Sequence, residues 1–346
     1  MVFPSISSII SIVSCLFIAV QPSLVDNFIE WTHAYKMQYT SPEHYNLVYN
    51  KWTNNNAFIT KINSQNHSYK LGHNQFSGMN LDEYKQFFLT IDKPKYANNQ
   101  YANISVVDTL VLPTEVNWTK AGGVTPVKDQ GYCGSCWSFS ATGALEGAYF
   151  NKYGKLYSFS EQQLVDCDNL KNGGKDHGCN GGLMDNAFTW ISKNGGLCNE
   201  FNYPYTSGIT GVPGTCSKNC PLIFGSQITS FIDVKSNSDI DMETALYKQP
   251  VSIAIDAESR EFQLYLSGVF TAICGTNLDH GVLATGYGSL GGINYYSVKN
   301  SWSTSWGQSG YILLGKGNDP ATNKPYNSGS GQCGILMEGS YPVLLL

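Results

Sequence analysis

The hydrophobic pattern divides the chain into three stretches. An apolar run from Ile9 to Val20 stands near the N-terminus. It is shorter than the roughly 20 residues a membrane span needs and suits a signal-peptide core, although no Lys or Arg precedes Lys36. Residues 24–90 are polar, rich in Asn, Lys and Tyr, free of cysteine, and read as helical. Residues 91–111 pass through Lys93-Pro94-Lys95 and Asn98-Asn99-Gln100 without periodicity, as a linker does. From Leu112 onward Gly, Trp and Cys become frequent. Residues 136–151 predict an apolar, Ala-containing helix, and Ser160 caps a second one beginning at Glu161. From about residue 226 the texture is strand-like, in Val251-Ser252-Ile253-Ala254-Ile255, Gly281-Val282-Leu283-Ala284, Tyr295-Tyr296-Ser297-Val298-Lys299 and Gly310-Tyr311-Ile312-Leu313-Leu314. A helical half followed by a strand-rich half predicts an α+β fold with two lobes, and no internal repeat is visible.

Composition narrows the function. With 42% apolar and 13% aromatic residues the 346-residue chain is that of a globular protein. Its net charge of −5 is mild, and Arg260 is the only arginine, which argues against a nucleic-acid partner. Apart from Cys15 in the leader, the cysteines are 133, 136, 167, 179, 198, 216, 220, 274 and 333, an odd number. In an oxidising compartment one thiol is therefore left over, a candidate reactive group. The single CxxC, Cys133-Gly134-Ser135-Cys136, has no second CxxC or nearby His, so no metal and no cofactor is expected.

Cys136 sits where a loop turns into a helix, and unpaired N–H groups at a helix N-terminus stabilise a thiolate. Its surroundings, Gln130-Gly131-Tyr132-Cys133-Gly134-Ser135-Cys136-Trp137, closely resemble the nucleophile signature of papain-like cysteine proteases. Leu278-Asp279-His280-Gly281 follows within the roughly 130–150 residues expected between nucleophile and histidine in that family. Asn300-Ser301-Trp302 and Trp306-Gly307 come next in the matching order. His33, His44, His67 and His73 fall in the leading segment, so His177 and His280 are the remaining candidates for a base, and His280 borders an apolar strand.

The resemblance, to the cathepsin L-like subfamily in precursor form, implies a two-lobed papain-like fold with a helical left lobe and a β-barrel-like right lobe. It implies a leader at 1–22, an inhibitory propeptide at 23–111 and a peptidase domain at 112–346, cut near Leu112–Trp118. Cys136 and His280 would form a thiolate–imidazolium pair, Asn300 would orient the imidazole, Trp302 would shield it, and Gln130 would donate to the oxyanion. Asp279 would tune the pair's charge. Family pairing of cysteines implies Cys133–Cys179, Cys167–Cys216 and Cys274–Cys333, leaving Cys198 and Cys220 for a further bridge. Substrate binding maps onto Gly181, Gly182, Leu183, Met184, Ala254, Leu278, Gly281, Glu338 and Trp306, with Glu338 departing from the usual apolar pocket floor.

In the leading segment Trp52, Asn55, Ile59 and Asn63 match the spacing of the family's inhibitory helix, while His44, Val48 and Gly78 replace charged residues of its motifs. That loss of charge leaves the pH response of activation open. Residues 315–332 resemble an inserted loop. The expected activity is that of a cysteine endopeptidase, made as a zymogen and acting as a monomer on polypeptides, with cystatin-type inhibitors as further partners. A secretory location, lysosomal, vacuolar or extracellular, fits the leader and the sequons at Asn66, Asn103 and Asn117. Two alternatives carry other functions: a non-catalytic binding protein on the same fold, and a thiol acyltransferase on the same site.

Overall fold

The computed structural model describes residues 23–89, 91 and 111–345. The leader, most of the linker and the sequon at Asn103 lie outside the described residues. The leading segment folds into helices Leu24–Ala34, Pro42–Asn63 and Leu81–Phe88. Each starts where a short polar side chain accepts a first-turn N–H: Ser23 from Asp26, Ser41 from His44 and Asn80 from Glu83. Phe28, Trp31, Val48 and Trp52 close a small aromatic core between the first two helices.

The helical lobe is built around Cys136–Tyr153, with Glu161–Cys167 and Met184–Asn194 beside it. The central helix is buried on every side from Cys136 to Tyr149, which is why its sequence shows no polar stripe. The other lobe is a sheet of β1 (Tyr69–Leu71), β2 (Val116–Asn117), β3 (Ile228–Asp233), β4 (Val251–Ile255), β5 (Tyr265–Phe270), β6 (His280–Leu290), β7 (Ile293–Lys299), β8 (Tyr311–Gly315) and β9 (Gly339–Leu344). Its order is β1-β5-β8-β7-β6-β4-β9-β3, with β2 on β6. The path does not close, so the lobe expected to be barrel-like is an open sheet with β1 and β3 at its edges. From His280 to Gly288 β6 is buried on both faces, one of them against Cys136–Tyr153.

The first edge corrects the expectation of an all-helical leading segment. Tyr69 lies opposite Gly268 and Lys70 opposite Ser267, so the segment adds a strand to the sheet of the second lobe. Three residues carry no readable periodicity, and their hydrogen-bond partners are remote in sequence. Disulfides join Cys133–Cys179, Cys167–Cys216, Cys198–Cys220 and Cys274–Cys333. Cys136 is the free cysteine among the described residues.

Candidate active site

Cys136 opens its helix, and Ser135 before it makes no side-chain cap bond, so first-turn N–H groups stay available at the thiol. The N–H groups of Gly281, Trp137 and Cys136 itself reach the sulfur. His280 directly precedes Gly281 at the start of β6. Helix and strand therefore meet at the thiol, which is how residues far apart in sequence share one site. The His280 Nε2 pairs with Asn300 Oδ1 at 2.8 Å. Because that oxygen also accepts the Ser301 N–H at 2.8 Å, it is the acceptor, and Nε2 carries the ring proton. Nδ1 is left without a hydrogen-bond partner. The Trp302 indole stacks on the imidazole at 4.5 Å and 21°, excluding water from the His280–Asn300 bond.

Gln130 is held from behind. Its Oε1 accepts from Ser301 Oγ at 2.7 Å and Trp302 Nε1 at 3.1 Å, which fixes the amide so that Nε2 points the other way, donating one N–H to Cys133 O at 3.1 Å. Nothing in the sequence singled out Ser301 for this work. A buried ion cluster underneath was also missed. There Lys128 bonds Glu161 at 2.6 Å and Glu146 at 3.3 Å, while Lys299, the residue before Asn300, donates to Thr125. Buried charges so paired anchor the strand end that presents Asn300.

Residues of the leading segment cover this site. Phe76 meets Trp302 edge-on at 5.1 Å, and Tyr84 does so at 5.7 Å. Gln75 Nε2 donates to Trp302 O at 2.6 Å, Asn74 Nδ2 to Gln263 O at 2.7 Å and Tyr84 Oη to Ala257 O at 3.1 Å. Ile91 N donates to Asp279 O at 3.1 Å, beside His280. Arg260 donates through Nε and Nη2 to Asn55 Oδ1 and lies 4.4 Å over the Phe58 ring. The absent motif charges are replaced by packing: a Cβ at Gly78 would come within 2.8 Å of Trp31 and 2.9 Å of Val48. This contact does not titrate.

Burial shifts both groups. It pushes the Cys136 thiol up to about 12 and the His280 imidazole down to about 4. Both shifts favour the neutral thiol and imidazole in the covered form, against the expected thiolate–imidazolium pair. Burial also pushes Asp279 up to about 8, so it contributes no negative charge beside the histidine at acid pH.

Met184, Ala254 and Leu278 belong to one buried apolar cluster, with Leu183 packed against it, and Ile91 of the leading segment joins the same cluster. Glu338 is half-buried; burial, then Asp185 and Asp233, push its carboxyl up to about 7. Trp306 does not belong with these residues. It is fully buried in the other lobe, 5.3 Å from Phe262 and 5.1 Å from Trp302, and offers the cleft no surface in this form. Aromatic packing between its neighbours, rather than the cleft, accounts for its position.

Residues 112–343 match the model of the papain family cysteine proteases, and residues 28–84 match the cathepsin propeptide inhibitor domain. Among relatives, the probable cysteine protease RD21B of Arabidopsis thaliana is 45% identical over 84% of this chain, and the match spans 59% of that protein's length. Germination-specific cysteine protease 1 of the same plant is 44% identical over 85% of this chain and 77% of its own. Among solved structures, recombinant stem bromelain precursor superimposes with a TM-score of 0.81 at 34% identity, covering 92% of this chain and 98% of that one.

Proposed function

The chain belongs to the papain family of cysteine proteases and carries a propeptide inhibitor domain ahead of its peptidase domain; from that premise we propose that it is a cysteine endopeptidase zymogen whose chemistry is carried by Cys136, His280, Asn300 and Gln130. One observation carries this reading. The free thiol at an open helix N-terminus lies beside the Asn300-oriented His280, under a cover supplied by the same chain.

With the cover gone, His280 takes the Cys136 proton at Nδ1, giving the thiolate. The sulfur attacks the scissile carbonyl carbon, and the charge moved onto oxygen is met by the Gln130 amide and the Cys136 N–H. The imidazolium returns the proton to the amine as the C–N bond breaks, leaving a thioester. His280 then deprotonates a water that attacks the thioester, releasing the carboxyl product and restoring the thiol. The domain limits 1–22, 23–111 and 112–346 follow the same reading. So do a monomer, a secretory route supported by four disulfides, and cystatin-type inhibitors as occupants of the uncovered cleft.

Acid incubation of the full chain tests this. A new N-terminus near Leu112–Trp118 and cleavage of a fluorogenic peptide, blocked by iodoacetamide, are expected. Absence of both processing and cleavage would sink the proposal, and transfer to amine acceptors in place of hydrolysis would favour the acyltransferase.

Substrate preference is a second proposal. Leu183, Met184, Ala254 and Leu278 suit an apolar side chain at the second position before the cut. Glu338 ionises through neutral pH and would then pair with a guanidinium. Acceptance of Arg relative to Leu should rise from pH 5 to pH 8 as the Glu338 carboxyl loses its proton. Glu338→Gln should lower that ratio by roughly 10-fold or more at the upper end, the worth of a charge-assisted hydrogen bond. A peptide series differing only at that position reads it; an unchanged ratio refutes the pairing.

A further inference from the structure

We propose that Asp168 and Asp176 share one proton, and that this proton holds the loop bearing Gly181, Gly182 and Leu183 in the shape that faces the substrate. Both carboxyls are buried, at 0% and 1% exposure. Asp168 Oδ1 accepts from Lys175 N at 3.1 Å. Asp176 Oδ1 accepts from Leu183 N at 3.0 Å and Asn186 Nδ2 at 2.8 Å. The two side chains are hydrogen-bond neighbours, yet Oδ2 of each has no donor. Two ionised carboxylates meeting in this way would place like charges together out of water. One proton between them supplies the missing donor and removes one of the charges.

Other charged and polar groups surround the pair. Lys193, on helix Met184–Asn194, acts on Asp168 through space. Lys175 reaches Asp168 through its backbone N–H, and His177 adjoins Asp176 in the loop, its own N–H bonded to Gly181 O at 2.9 Å. On helix Glu161–Cys167, Asp166 is taken up by Gln162, Tyr203 and Gly214. Burial, then the charge of Asp168, pushes Asp176 up to about 9, and burial pushes Asp168 up to about 6. The pair thus keeps a proton through neutral pH.

The loop is moulded on Asp176 and on Trp137 of the central helix. Asp176 holds the Leu183 N–H, and a Cβ at Gly182 would lie 2.8 Å from the Asp176 carboxyl carbon. That consequence rests on the protease reading; the shared proton does not.

The sign of the pH effect follows. A carboxyl that stays protonated in the fold to higher pH than in the unfolded chain loses stability as pH rises from the ordinary carboxylate range to about 9, and no further. Asn at 176 donates an N–H to Asp168 without needing a proton. In the full chain kept from processing itself by Cys136→Ala, Asp176→Asn should therefore raise the thermal midpoint by an amount that is near zero at about pH 4 and grows toward pH 9. Asp168→Asn should behave alike and serves if the first variant fails to fold. In the infrared, the wild-type-minus-variant difference spectrum at neutral pH should show the C=O stretch of one protonated buried carboxyl for either variant. No such band, or a variant destabilised equally at all pH values, overturns the shared proton. Enzyme matured from the full chain tests the loop separately. Wild-type KM should climb above about pH 9, by up to about tenfold per pH unit for a one-proton step, and the Asp176→Asn KM should not. A flat wild-type KM overturns the link to substrate while leaving the pair.

Discussion

Cys136→Ala should abolish peptide cleavage, lowering kcat by on the order of 10⁵–10⁶-fold, the scale seen when a covalent nucleophile is removed from a comparable triad. The loss comes from losing the bond-forming atom itself, since Gln130 and the helix N–H groups remain to bind the oxyanion. His280→Ala should cost nearly as much, and the double variant little more, because the two act as one unit. Cys136 and the residues after it are already packed on every side, and losing one sulfur there should leave the fold cooperative. Acid incubation of Cys136→Ala should then yield no self-processed product, measured by N-terminal sequencing beside the fluorogenic assay. Retention of more than about 1% of wild-type turnover would remove Cys136 from the nucleophile's role.

The second large effect concerns latency. Phe76 is 1% exposed and packs on Trp302, Tyr84 and Phe88, directly behind the indole that covers His280. Phe76→Ala removes a buried aromatic ring, typically costing about 3–5 kcal/mol. If most of that falls on the covered state, the cover is held about 10²–10³-fold less tightly. The full chain should then show activity at neutral pH before any acid step, and faster processing on acidification. Lys85→Ala is the contrast. The Lys85–Glu258 pair at 2.9 Å is about one-third exposed on each side, and pairs of that kind contribute at most about 1 kcal/mol. Similar effects from both variants would show that packing on Trp302 is not what secures the cover.

Much of the candidate site could be read in advance because its chemistry is local. The Gln130–Trp137 stretch, His280-Gly281 and Asn300-Ser301-Trp302 each carry a recognisable pattern within a few residues. The helix at Cys136 and the cap at Ser160 were legible for the same reason, since helix starts depend on neighbouring side chains. The leading segment was recognisable from Trp52, Asn55, Ile59 and Asn63. Asn63 shows what that spacing serves: its amide donates to Leu71 O and accepts from Leu71 N, fixing β1 for the enzyme's sheet.

Other features depended on partners distant in the chain. Ser301 behind Gln130, Arg260 on Asn55, Ile91 beside Asp279 and β1 on β5 each join residues with no periodic relation. Trp306 differs in another way. Its motif places it near the catalytic residues in sequence, but three aromatic neighbours enclose it in the core. Gly78 looked like a lost charge until Trp31 and Val48 were seen to fill the space.

By itself, then, the sequence determined the family, the two-lobed α+β plan, the odd thiol and the candidate side chains for the reaction, because each is written in short-range spacing and residue type. Only the tertiary structure decided that the sheet stays open, that burial favours the neutral thiol and imidazole, and that Asp168 and Asp176 meet. Closure, solvation and the company of a buried charge are set by what packs against a group from elsewhere in the chain, and no local pattern encodes that.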